Sequence, residues 1–205
     1  GITDILAALG LMPVPVSLDQ EGPQPAGLRA VLRRDVKALI GMPRAQNPTG
    51  AAFSPERQRL LRAILAQYPD LLLIEDDHAG PVAGADYATL VEPGRSHWAV
   101  VRSVSKSLGP DLRLALLTGD AETLARVEGR QTLGIRWVSH LLQNLVVVLW
   151  RDPKTARLLR RAAAIYKERR ETLIEELGRR GIAAFGSSGI NVWIPVVEES
   201  PVVQA

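Results

Sequence analysis

The chain has 205 residues, 46% of them hydrophobic, and its 25 basic and 22 acidic side chains leave a formal charge of +3. That length supports one sizeable core with part of a second, and that composition excludes an intrinsically disordered chain. With no cysteine and no apolar run long enough for a bilayer, disulfides, thiolate metal sites and membrane-spanning helices are excluded.

Thr3 to Leu9 reads as a short amphipathic helix ended by Gly10, and Met12 to Leu18 alternates like an edge strand with prolines. Pro25 to Arg34 reads as helix and Ala38 to Met42 as a short buried strand, stopped by Pro43 and followed by the loop Arg44 to Gly50. Ser54 before Pro55 is a helix start: the hydroxyl can cap free amides and proline suits the first turn. Leu60, Leu61, Ile64 and Leu65 carry its apolar face to about Gln67. Leu71 to Ile74, Trp98 to Val101 and Leu112 to Thr118 read as further strands. This alternation predicts an α/β fold with a mostly parallel sheet flanked by helices, and ligands on such sheets sit beyond the carboxyl ends of the strands.

From Asp120 the pattern turns helical: Ala121 to Glu128, Leu133 to Trp150, and a long connector from Pro153 to Arg180 that Gly181 ends. Ile190 to Val197 alternates as the first strand of a small second sheet, and Glu198 to Ala205 reads as a frayed end. The expected domains are 1–150 and 151–205. Arg160, Arg161, Arg169, Arg170, Arg179 and Arg180 interleave with Glu168, Glu171, Glu175 and Glu176, which is the pattern of a solvated helix face rather than a phosphate-tracking stripe. Gly1-Ile2-Thr3-Asp4 lacks the basic and apolar regions of a secretory signal, so a cytoplasmic location is expected.

Four clusters carry chemistry. In Asn47-Pro48-Thr49-Gly50, proline and glycine shape a tight turn that can aim the asparagine amide into a crevice. In Glu75-Asp76-Asp77-His78, at a strand end, a buried carboxylate can pair with a ring nitrogen and keep it protonated. Ser103, Ser105 and Lys106 follow another strand, and Arg113 comes seven positions after the lysine, across a Gly109-Pro110 break. A lysine can form a Schiff base with pyridoxal phosphate, while two hydroxyls and a guanidinium can hold the phosphate dianion. Each cluster alone fits an ordinary turn or surface.

Together and in this order they resemble the fingerprint of fold type I pyridoxal-phosphate aminotransferases. The stretches Pro43 to Gly50, Glu75 to Pro81 and Ser103 to Lys106 most resemble the aminotransferase-like domain of MocR/GntR-type transcriptional regulators, and Phe185 to Trp193 is similar to its small-domain segment, particularly in members linked to vitamin B6 metabolism. The resemblance covers nearly the whole chain. It implies a PLP-dependent transferase-like large domain plus the start of a small α+β domain. Lys106 would carry the Schiff base, Asp76 would bind the pyridine nitrogen, and Asn47 would hydrogen-bond the phenolic oxygen. Ser103, Ser105 and Arg113 would hold the phosphate. Where the family often has a tyrosine two positions after the pyridine-binding aspartate, this chain has His78, which could still donate to the phenolic oxygen.

By the same resemblance the chain is a fragment. The family's glycine-rich phosphate turn and ring-stacking aromatic would precede it, and its substrate-carboxylate arginine would follow. DNA would be reached only through an N-terminal winged helix-turn-helix not present in these residues. Three functions stay open: a cofactor-binding effector domain of a regulator, responding to an amino acid or a vitamin B6 compound; a class I/II aminotransferase acting on an amino acid; and a truncated dimerising scaffold without cofactor. The family's pairing of chains around the site implies a homodimer.

Overall fold

The computed structural model describes residues 2–134 and 136–198. Helix α1 (Ile2–Ala8) is followed by an extended stretch leading to a minimal antiparallel pair, β1 (Leu18–Asp19) with β2 (Gly22–Pro23). The strand expected over Met12 to Leu18 does not form as such. Pro13 and Pro15 lack amide hydrogens two positions apart, which strips the donors from one edge of the segment and leaves no ladder to build.

Helices α2 (Pro25–Leu32) and α3 (Pro55–Leu65) pack on one face of the sheet whose first strands are β3 (Ala38–Gly41) and β4 (Leu72–Asp76). α3 starts as its sequence dictates: Ser54 Oγ accepts from the Arg57 amide at 3.0 Å, and Pro55 takes the first turn. Leu28, Leu61, Ile64, Leu65 and Leu73 are wholly or almost wholly buried together. Each such aliphatic side chain stabilises the fold by about 1.5–3 kcal/mol. Alternation along β4 turns Leu73, Glu75 and Asp77 to this core and Leu72, Ile74 and Asp76 to the opposite face.

The sheet is completed by β5 (Trp98–Ser103) and β6 (Ala115–Gly119) in the order β3-β4-β5-β6. β3, β4 and β5 are parallel, with Asp76 opposite Val101, while β6 runs antiparallel to β5, with Ala115 opposite Ser103. The last strand therefore begins three residues later than expected, because Pro110 to Leu112 form a single 3-10 turn ahead of it.

Helices α4 (Ala121–Leu133), α5 (His140–Arg151) and α6 (Pro153–Arg179) follow. The helix expected from Leu133 to Trp150 is interrupted: Gly134 leaves helical angles, and Ser139 begins a new helix by accepting from the Leu142 amide. Asp152 caps α6 through the Lys154 and Thr155 amides. The strand expected over Ile190 to Val197 is reduced to one bridge between Phe185 and Trp193. Amides and carbonyls of Gly186 to Gly189 are engaged elsewhere, and Pro195 has no donor for a ladder. The frayed end expected from Glu198 lies, from residue 199 on, outside the described residues.

Candidate functional site

Because β3, β4 and β5 are parallel, their carboxyl ends share one edge of the sheet. The antiparallel β6 starts at that same edge. Asn47 lies in the loop that follows β3, Asp76 ends β4 and His78 is just past it. Ser103 ends β5, and Ser105 and Lys106 occupy the next turn. Arg113, which falls inside the strand expected over Leu112 to Thr118, instead precedes β6, at the end of the 3-10 turn with a left-handed φ of 46°. Topology thus brings all seven residues to one edge.

Direct bonds among them are few. The Ser105 amide donates to Ser103 Oγ at 3.1 Å, which leaves the Ser103 hydroxyl hydrogen free to donate elsewhere. Lys106, Arg113 and Asn47 are exposed, and among the described residues neither the Lys106 amine nor the Asn47 side-chain amide has a hydrogen-bond partner. The Asn47 turn is shaped from within: Gln46 Nε2 donates to the Asn47 carbonyl at 2.8 Å, and Gln46 Oε1 accepts from the Thr49 amide at 2.8 Å. His78 Nδ1 is buried and has no hydrogen-bond partner.

The adjacent aspartates have opposite environments. Burial pushes the Asp76 carboxyl above the ordinary aspartate range, with the Asp77 charge adding to the rise and His78 opposing it. Burial also pushes up Asp77, but there the bonds and charges of Arg44 and Arg102 outweigh it and bring the net value down. Asp77 is fully buried and accepts from Arg44 Nε at 2.8 Å and Arg102 Nε at 2.7 Å. Asp77 is therefore consumed by structure, and Asp76 remains available for a ligand.

A cleft of about 560 Å³ lies beside this edge, lined by Arg44, Tyr87, Arg102, Leu116 and Trp150 among others. Of the seven residues only Ser103 lines it, and it contains no lysine. Cavity volume and donor chemistry point to different places. Donor chemistry decides, since a phosphorylated aldehyde needs an amine and an anion cradle.

The model of the aminotransferase class I and II family matches residues 3–202. The chain belongs to this family. It is 40% identical over 193 residues to the vitamin B6 salvage pathway transcriptional repressor PtsJ of Salmonella typhimurium, covering 94% of this chain and 45% of the repressor. It is 29% identical over 194 residues to the HTH-type transcriptional regulator TauR of Rhodobacter capsulatus, covering 92% of this chain and 39% of the regulator. The chain thus spans less than half the length of either. Among solved structures, LysN, the α-aminoadipate aminotransferase of Thermus thermophilus complexed with N-(5'-phosphopyridoxyl)-L-leucine, superposes with a TM-score of 0.80 at 24% identity, over 91% of this chain and 50% of that one. The aspartate aminotransferase of Thermus thermophilus with maleate gives 0.82 at 21% identity, over 98% and 53%. These likenesses establish the fold as that of fold type I aminotransferases.

Two features of this family member escape a sequence reading. One is the buried carboxylate layer beneath the site: Glu75 accepts from Tyr87 Oη, Thr89 Oγ1 and the Leu90 amide, while the Arg44 and Arg102 guanidiniums lie 5.4 and 5.0 Å from the Tyr87 ring centre. The inward alternation of Leu73, Glu75 and Asp77 is the signal that could have found it. The other is Arg170, which reads as part of a solvated face but is 5% exposed, with its guanidinium donating to the carbonyls of Gly186, Ser187 and Gly189. No local pattern distinguishes it from the arginines around it.

Proposed function

We propose that this chain is the pyridoxal-phosphate-binding, aminotransferase-like effector domain of a GntR/MocR-type transcriptional regulator, with the cofactor held as a Schiff base on Lys106. The observation that carries this reading is the 40% identity to PtsJ over 94% of the chain. The residues suit the group. An unpartnered amine, two hydroxyls and a guanidinium gather at the sheet edge where Asp76 ends its strand, and the orphaned His78 Nδ1 beside it is a buried polar atom in want of a partner.

When bound, pyridoxal phosphate supplies a carbonyl that condenses with an amine and a ring that withdraws electrons. Lys106 supplies the amine. Asp76, whose carboxyl burial pushes up, would be held charged by a protonated pyridine nitrogen and would orient the ring. Asn47 and His78 would donate to the phenolic oxygen. Ser103, Ser105 and Arg113 would donate to the phosphate, a dianion that requires several donors at close quarters. The domains would be 1–150 for cofactor binding and 151–205 for the connector and the start of the smaller unit. The parent protein would be a cytoplasmic homodimer, would respond to an amino acid or a vitamin B6 compound, and would reach DNA through a winged helix-turn-helix outside this chain.

A second reading, a catalytic aminotransferase, is favoured by relatives such as the bovine kynurenine/α-aminoadipate aminotransferase, 24% identical over 222 residues. Both are tested by titrating full-length protein with pyridoxal phosphate. The expected outcome is a visible absorption band that Lys106→Ala abolishes, with borohydride fixing the label on Lys106. A label on another lysine would reject the site. Release of the corresponding oxo acid on adding an amino acid would favour the enzyme over the regulator.

A further inference from the structure

The turn Gly186 to Gly189 is far in sequence from the candidate site, yet it is fastened to the two loops that carry Asn47 and His78. Ser188 is fully buried, and its hydroxyl accepts from the Ala45 amide at 3.1 Å and donates to the Ala83 carbonyl at 3.0 Å. The Gly189 amide donates to the same Ala83 carbonyl at 2.6 Å, and the Ser187 and Ser188 amides both donate to the Gly50 carbonyl at 2.9 Å. Ala45 and Gly50 bracket Asn47, while Ala83 closes the 3-10 turn Gly80–Val82 that follows His78.

The fit leaves no slack. A Cβ on Gly189, whose φ is 73°, would lie 2.5 Å from the Ala45 Cβ, and one on Gly50, at φ 68°, would lie 2.8 Å from the Asn191 carbonyl oxygen. From the other side Arg170 of α6 holds the turn by Nε to Gly186 O at 3.0 Å, Nη1 to Gly189 O at 2.6 Å and Nη2 to Ser187 O at 3.2 Å. Among the described residues no carboxylate lies within ion-pair distance of it. A buried guanidinium satisfied by carbonyls alone serves to fix backbone geometry.

We propose that Ser188 and Arg170 are positioning residues: the Gly186 to Gly189 turn is a latch that holds the Asn47 loop and the His78 turn in mutual register for the cofactor's phenolic oxygen. No sheet ladder joins those two segments; Arg44 ties the first to Asp77 and the Ala85 carbonyl, and Ser188 adds a separate side chain, from outside both, that bonds to the backbone of each. This rests on the cofactor site proposed above. By linkage, a cofactor that orders Asn47 and His78 also tightens the latch.

The test compares full-length wild type, Ser188→Ala and Arg170→Lys with Ser54→Ala, a helix-cap variant distant in role, as a stability control. Three readouts are taken: dissociation constant for pyridoxal phosphate, pH midpoint of the bound cofactor's visible band, and amide exchange of residues 44–50, 79–84 and 185–193 without and with cofactor. Ser188→Ala and Arg170→Lys are expected to weaken binding about tenfold, the equivalent of one buried hydrogen bond. They should also shift the pH midpoint and loosen residues 44–50 and 79–84 together, whereas Ser54→Ala does none of these. Unchanged binding and midpoint in both latch variants of a wild type that binds would overturn the positioning role. If wild type itself shows no band, the cofactor reading fails, and the exchange data decide the latch: separate or unchanged loosening of the two loops would overturn it as well.

Discussion

The adjacent carboxylates at the end of β4 show how one residue's offset assigns chemistry. Asp77 points inward to two guanidiniums; Asp76 points to the opposite face, half-buried and, among the described residues, without an ion-pair partner. Their contributions to stability have opposite signs. Asp77 is depressed in the fold, so its contribution is present above its unfolded value of 3.8 and is lost as pH falls through the lower folded value. Asp76 is raised, so its contribution is present below 3.8 and is lost as pH rises through the higher folded value. Asp76→Asn is therefore expected to melt higher than wild type at pH 7, by a margin that closes below about pH 4, while losing cofactor affinity. Asp77→Asn should melt lower at pH 7. Thermal denaturation across that range measures both, and a destabilised Asp76→Asn at pH 7 would contradict the assignment.

Elements whose ends carry their own punctuation are where the sequence is most informative. Ser54-Pro55 predicts α3, and the observed cap bond agrees; Ser54→Ala should cost about 1 kcal/mol, seen as a lower denaturant midpoint with unchanged slope. The parallel strands were readable from their short apolar runs, and so was the gathering of Asn47, Asp76 and Lys106 beyond their ends. What failed was alternation without available donors. Met12 to Leu18 and Ile190 to Val197 carry a strand's pattern, but Pro13, Pro15 and Pro195 remove hydrogen-bond donors, and the turn before Ile190 bonds to Gly50 and Ala83 instead. The Leu133 to Trp150 run failed differently, since hydrophobicity continued through a break that only Gly134 and Ser139 mark. Arg170 could not be read at all, because its partners are backbone carbonyls, which no residue pattern announces.

At the scale of the molecule, apolar side chains remain uncovered around α5: Leu133, Trp137, Leu141 and Val148 are each more than 60% exposed. No described helix is long and apolar enough to cross a membrane, and exposed apolar patches of this kind mark interaction surfaces. The proposed homodimer predicts that full-length protein sediments at twice its chain mass at micromolar concentration; a single-chain mass would refute it. The antiparallel return of β6 has a separate outcome for inheritance. Ser105, Lys106 and Arg113 lie within one short excursion that the Val104 amide closes on the Leu114 carbonyl at 3.2 Å, with Ser103 at its base. The proposed amine and phosphate donors are therefore encoded as a contiguous cassette, which recombination can move whole. The proposed ring-facing groups lie outside that cassette, Asn47 after β3 and Asp76 and His78 at the end of β4, which leaves the histidine position open to change without unmaking the proposed anchor.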